Sequence, residues 1–171
     1  LVLTVDSGGD RAKEDAAVAE LLDRRVDGII YAAMSLRRVR IPEGLHRTHS
    51  VLANCVPDDD SLPAVVPAER AGGRTAARLL LDQGHRRIAL VGGQDDIASV
   101  ERLRGFRDAL RAEGITVPKE WIVRTGGEIS SGHEGATRIL EVVPAVLRPT
   151  GIFCYIERVA AVALHAATGL G

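Results

Sequence analysis

Aromatic residues make up 3% of this 171-residue chain, with one tryptophan, two tyrosines and two phenylalanines. A surface that stacks single-stranded bases relies on repeated rings, so a base-stacking platform is excluded. Cysteine is as scarce. Cys55 and Cys154 stand alone, with no neighbouring Cys or His at metal-ligand spacing, which excludes a disulfide framework and a cysteine zinc site and fits a reducing compartment. Positive charge is not in excess either. Twenty-two lysines and arginines face 23 aspartates and glutamates, for a formal net charge of -1, so this segment lacks the basic surplus with which a domain grips phosphates. No apolar run approaches the roughly 20 residues that span a bilayer, and no charged-then-apolar leader opens the chain. It starts directly in an aliphatic run, Leu1 to Val5, with no initiator methionine, and reads as a fragment of a longer protein.

What is present is enough for a core. The chain is 46% hydrophobic, and at this size roughly 70% of the unfolded surface leaves water on folding. Short aliphatic runs alternate with segments of helical period, the pattern of parallel sheets covered by helices. Strands are predicted at about Leu1–Val5, Gly28–Ala32, Ser50–Asn54, Ala64–Val66, Arg87–Val91, Trp121–Arg124 and Gly151–Tyr155. Helices are predicted from Asp10 as N-cap, burying Ala17, Val18, Leu21 and Leu22; over Glu69–Gln83, with Ala76, Leu79 and Leu80 inward and Gly84 as stop; over Val100–Glu113; from a capping box at Ser131 to Glu134; and over Glu157–Thr168. A further short helix around Leu36–His46 is poorly patterned. A lobe boundary is expected near Gly84, since the second helix can still pack on the first sheet.

Two glycine-bearing loops sit where open α/β sheets bind ligands, Asp6–Asp10 and Gly92–Asp96. Both are acidic, and neither matches the dinucleotide fingerprint or the lysine-bearing P-loop. Their carboxylates either accept hydrogen bonds from ligand hydroxyls or cap the following helix, and Asp10 suits capping. Arg102 is placed in the first turn of the third helix, where the dipole disfavours a cation by about 0.3–1 kcal/mol. That cost points to a function, the planar fork holding neighbouring hydroxyls or a carboxylate; the alternative is a solvated arginine, like Arg104, Arg107 and Arg111. Tyr31 and Tyr155, at strand ends, either stack on a ligand ring or pack in the core. Trp121, Phe106 and Phe153 read as core. The scattered histidines offer no helix-borne metal site, no Gly-x-Ser-x-Gly elbow is present, and Asp95 and Asp96 diverge. No catalytic constellation, metal or cofactor is expected.

Several pieces then add up. Arg25-Val26-Asp27-Gly28-Ile29-Ile30, Ala71-Gly72-Gly73, Gly84-His85-Arg86-Arg87-Ile88-Ala89, Glu101-Arg102-Leu103-Arg104-Gly105-Phe106 and Gly151-Ile152-Phe153-Cys154 occur in one order over nearly the whole chain. In this the chain resembles the effector-binding core of the lactose-repressor and galactose-repressor family of bacterial transcription regulators. The resemblance implies an α/β fold of two Rossmann-like lobes with parallel sheets, of the type I periplasmic-binding-protein kind and incomplete in this chain, as 1–84 and 85–171. It implies a small sugar-like effector between the lobes, a homodimer, a cytoplasmic location, and operator DNA read by a helix-turn-helix head outside this chain; it implies no enzyme. By position Arg102 matches the arginine that similar proteins use on sugar hydroxyls. Where the family usually has an Asp this chain has Ala68, and where it usually has Asn-Asp this chain has Ile156-Glu157, which would weaken an ordinary monosaccharide by about a hundredfold if each lost hydrogen bond is worth about 0.5–1.5 kcal/mol. The expected ligand residues are therefore Arg102, Glu157, Ile156, Ala68, Tyr155 and Asp6, with Glu157 replacing part of the lost acidic function. The competing readings are a periplasmic sugar-binding transport receptor and, lower, an enzyme on a Rossmann-like scaffold.

Overall fold

The computed structural model describes residues 1–125 and 129–169. These form two compact units, one spanning Leu1–Pro67 and one starting at Ala68. In the first, helix α1 (Arg11–Asp23) precedes strands β1 (Gly28–Val39), β2 (His49–Pro57) and β3 (Ala64–Val65), which make a parallel sheet in that order. Asp10 is the N-cap, its side chain accepting from the Lys13 amide at 3.2 Å. The core of this unit joins Val18 of α1 to Ile29, Val39, Ile41, Leu45, Leu52 and Cys55, with Leu21 and Leu22 packed against it. Of the stripe expected of α1, Val18, Leu21 and Leu22 are in this core, and Ala17 is half-buried outside it.

Two expectations fail here. Leu1–Val5 pairs with no strand among the described residues, and Leu1, Val2, Leu3 and Val5 are exposed; aliphatic sequence makes a strand only where a neighbouring backbone completes the ladder. The segment 36–46 is not a helix either. Beyond a bulge between Ala32 and Arg37, β1 resumes beside β2 as far as Val39, and only Glu43–Arg47 turns, as a short 3-10 helix.

The second unit contains helix α2 (Glu69–Asp82), strand β4 (Ile88–Val91), helix α3 (Ile97–Ala112), strand β5 (Ile122–Val123), helix α4 (Ile129–Val142), strand β6 (Gly151–Cys154) and helix α5 (Glu157–Gly169). Its sheet is parallel in the order β5-β4-β6. Every residue of β4 is buried, and the strand's period of two sends alternate side chains to opposite faces. Ile88 and Leu90 meet Ala77, Leu81, Phe106, Ala109 and Leu110 of α2 and α3, while Ala89 and Val91 meet Val123, Ile139 and Val159 on the side of α4 and α5. Phe106 stacks on Phe153 at 5.6 Å between ring centroids.

The lobe boundary expected at Gly84 falls inside this unit, because α2 packs along α3 and belongs with it. Its inward face also differs from expectation. Glu69, Gly73, Ala77 and Leu81 are buried, whereas Leu79 is 63% exposed. The crossing is too close for large side chains: a Cβ on Gly73 would run into the carbonyl of Arg102, and one on Gly105 into the carbonyl of Arg70. Helix α4 begins at Ile129, so Ser131 lies inside it rather than capping it, and residues 126–128 before it lie outside the described residues. No helix among the described residues is long and apolar enough to cross a membrane.

Candidate functional site

The C-terminal ends of β4 and β6 carry the polar cluster of the second unit. Gly92 and Gly93 follow β4 with φ of 104° and 94°, conformations that L side chains rarely adopt. A Cβ on Gly92 would lie 2.9 Å from that of Tyr155, so the glycine allows the loop after β4 to approach the residue after β6. Asp96 then caps α3, accepting from the Ser99 amide at 2.7 Å and the Ser99 hydroxyl at 3.0 Å. That hydroxyl oxygen accepts the Gln94 amide at 2.9 Å. The Tyr155 hydroxyl reaches Asp96 Oδ1 at 3.4 Å. Beside this, Arg124 holds Asp95 at 2.8 Å and donates to the Gln94 carbonyl.

Arg102 enters the cluster from α3. The helix starts at Ile97, so Arg102 is in its second turn rather than its first, and the dipole cost expected from sequence does not apply. What holds it is specific. Its Nε and Nη2 donate to the two carboxylate oxygens of Glu69, Nη1 donates to the Tyr155 carbonyl at 2.8 Å, and the guanidinium lies 4.4 Å from the centre of the Tyr155 ring. Glu69, the first residue of α2, is 8% exposed. The Gly73 crossing makes this pair possible: Gly73 stands one helical turn beyond Glu69 and rests on the backbone of Arg102 itself. Burial works against the charge on Arg102, but its hydrogen bond and attraction to Glu69, with Tyr155 and Asp96 adding, outweigh that and raise its pKa. The Tyr155 hydroxyl is also pushed up, first by burial.

The expected ligand residues therefore divide. Arg102 and Tyr155 meet, ring to guanidinium. Glu157 opens α5 and is exposed, and Ala68 is the exposed residue before Glu69. Ile156 is half-buried and packs against the core between β4 and α5. Asp6 belongs to the first unit, where it accepts from the Gly8 amide at 2.9 Å. Tyr31 also lies in the first unit and packs against its core, its hydroxyl pushed up to about 12 by burial and by Glu14. Sequence reasoning missed Glu69 and Ser99; of the two roles open to the Asp96 carboxylate, it takes helix capping. The signal for Glu69 was an acid directly after Ala68, one helical turn before Gly73. Among the described residues, no group of three or more His, Cys, Asp or Glu side chains is placed to hold a metal ion.

The whole chain, residues 1–171, matches the family described as periplasmic binding proteins and sugar binding domain of LacI family. It is 35% identical over 122 residues to the sucrose operon repressor of Escherichia coli, covering 68% of this chain and 37% of that protein. It is 28% identical over 159 residues to the HTH-type transcriptional repressor PurR of Aliivibrio fischeri (strain MJ11), covering 91% of this chain and 47% of that protein. A LacI-family regulator from Rhizobium etli superposes with a TM-score of 0.82 at 27% identity, covering 99% of this chain and 62% of that one. The chain thus spans half or less of the length of these two repressors.

Proposed function

Because this chain belongs to the family of periplasmic binding proteins and LacI-type sugar-binding domains, we propose that it is the effector-binding part of a homodimeric, cytoplasmic transcriptional repressor that senses a small sugar-like molecule. The observation that carries the reading is the polar cluster on Arg102 at the C-terminal ends of β4 and β6, the end at which open parallel sheets bind ligands. A guanidinium has five N–H donors. Three are used here, so two remain for ligand hydroxyls beside the face of Tyr155 and the carboxylate of Asp96. The exposed Ala68 and Glu157 border this cluster in sequence, and Glu157 offers the acidic group that the family's usual Asp would supply. Ile156 acts through its packing. The carboxylate of Asp6 is engaged with its own turn.

Operator DNA would be contacted by a head outside this chain, and effector and operator affinities would then be reciprocally coupled. The relatives are named as repressors. The test is a thermal-shift screen of neutral mono- and disaccharides on the full-length protein, followed by Arg102→Lys. Lysine keeps a cation for Glu69 but lacks the planar fork. At one hundred times its Kd a sugar should stabilise the protein by about 2.7 kcal/mol, and Arg102→Lys should abolish the shift, measured against the variant's own unliganded melting temperature, which falls with the loss of the fork on Glu69. A shift that survives the substitution removes Arg102 from the site. No shift with any sugar overturns the sugar reading.

A further inference from the structure

We propose that Glu69 sets the charge preference of this site: by neutralising Arg102 it makes the site accept uncharged, hydroxyl-bearing ligands and reject carboxylates and phosphates. The proposal rests on the ligand site described above. An arginine fork pointing into open space is an anion receptor, since carboxylate and phosphate both fit it bidentately. Here one edge of the fork is closed. Glu69 takes Nε and Nη2, and at 8% exposure it is held against Arg102 rather than in water. A second carboxylate, Asp96, is hydrogen-bonded to the Tyr155 phenol and fixed as the α3 cap. The neighbouring Arg124 is engaged by Asp95 at 2.8 Å. One cation therefore faces two fixed carboxylates, and an incoming anion meets a net negative surround.

A neutral polyol meets something different. The two unused N–H groups of Arg102 can donate to its oxygens, while the carboxylates accept from its hydroxyls. Nothing in that exchange needs a counter-charge. Glu69 is thus not a spectator that merely packs α2 on α3. It converts the side chain best suited to binding anions into one that donates hydrogen bonds without attracting charge.

The experiment is calorimetry on the full-length protein with inorganic phosphate and, separately, the neutral sugar panel, for the native sequence, Glu69→Gln, Glu69→Asp and the double variant Glu69→Gln/Arg102→Ala. Native protein should show no phosphate binding at millimolar concentration. Glu69→Gln should gain phosphate affinity by at least about tenfold, a modest response for a contact charge removed from a partly buried site. Glu69→Asp, which keeps the charge on a shorter arm, should not gain, and the double variant should lose the gain. Sub-millimolar phosphate binding by the native protein overturns the proposal without any variant having to fold. So does a folded Glu69→Gln that gains nothing, or a gain that persists without Arg102. If Glu69→Gln gains phosphate through Arg102 while no neutral sugar binds any form, the charge role of Glu69 stands and the sugar reading falls.

Discussion

Strand β4 of the second unit and strand β1 of the first begin from similar aliphatic runs, Ile88-Ala89-Leu90-Val91 and Gly28-Ile29-Ile30-Tyr31, yet they are buried differently. All four residues of β4 are inside, with Ile88 and Leu90 under α2 and α3 and Ala89 and Val91 under α4 and α5. In β1 only the face toward α1 is covered: Ile29 is 7% exposed and its neighbour Ile30 is 73% exposed. Met34 and Val65 are exposed as well. The same local pattern therefore yields a strand buried on both faces in one unit and on a single face in the other. What decides is how many helices each unit can lay against its sheet, and a strand's own composition does not carry that number.

The comparison breaks most sharply if adjacent residues of the two strands are truncated. Leu90→Ala should cost about 2–5 kcal/mol and Val91→Ala about 1.5–3, because both faces of β4 are packed. In β1, Ile29→Ala should cost about 2–5 kcal/mol while Ile30→Ala stays within about 0.5. Urea denaturation of the four variants is the measurement. An Ile30→Ala cost as large as that of Ile29→Ala would mean that the outer face of β1 is covered in solution.

Much of this was legible in the sequence, and the failures share a cause. The parallel α/β class, the cap Asp10, the stop at Gly84 and six of seven strands follow from local pattern and chemistry. Leu1–Val5 fails because pairing is not a local property. The inward face of α2, expected as Ala76, Leu79 and Leu80, is only partly that: Leu80 packs on the core, but the crossing with α3 puts Gly73 and Ala77 inside and leaves Leu79 exposed. Arg102 stands out in the sequence for a dipole cost that vanishes once α3 starts at Ile97, and its contacts inside the fold come from other elements. Its partner Glu69 lies 33 residues away on another helix, and no spacing rule within one element reaches that far. Glycines that let helices touch decide which distant charges meet.

That dependence can be sharpened next. Gly73→Ala sets a methyl against the Arg102 carbonyl and must push α2 from α3. Overpacking of this kind costs about 1–3 kcal/mol. The separation should also loosen the Glu69–Arg102 pair, so ligand binding should weaken in Gly73→Ala even though neither charged residue is altered. Ala76→Gly on the same helix is the control, costing about 1 kcal/mol of helix propensity with little effect on binding. Equal loss of binding in both variants would show that α2 acts through stability alone.

The smallest effect concerns the cysteines, one in each unit. Cys154, on β6, is only partly buried, but burial pushes its thiol up to about 11. Cys55, on β2, is 0% exposed, and burial raises its thiol too, against the pull of Arg37. At pH 8 a thiol with a pKa near 11 is about one part in a thousand thiolate, the form that reacts. Both should therefore alkylate slowly with iodoacetamide, for different reasons. Raising the pH toward 10.5 should speed labelling of Cys154 in the folded protein, since ionisation limits it, whereas Cys55 should stay protected until the first unit opens. The folded state favours the neutral Cys154 thiol, so its contribution to stability is complete below the unfolded pKa near 9 and is lost as pH rises toward 11. Mapping the labelled peptides at both pH values separates access from ionisation. Rapid labelling of Cys55 at pH 8 would show that the first unit, with its single covered face, opens far more often than the second.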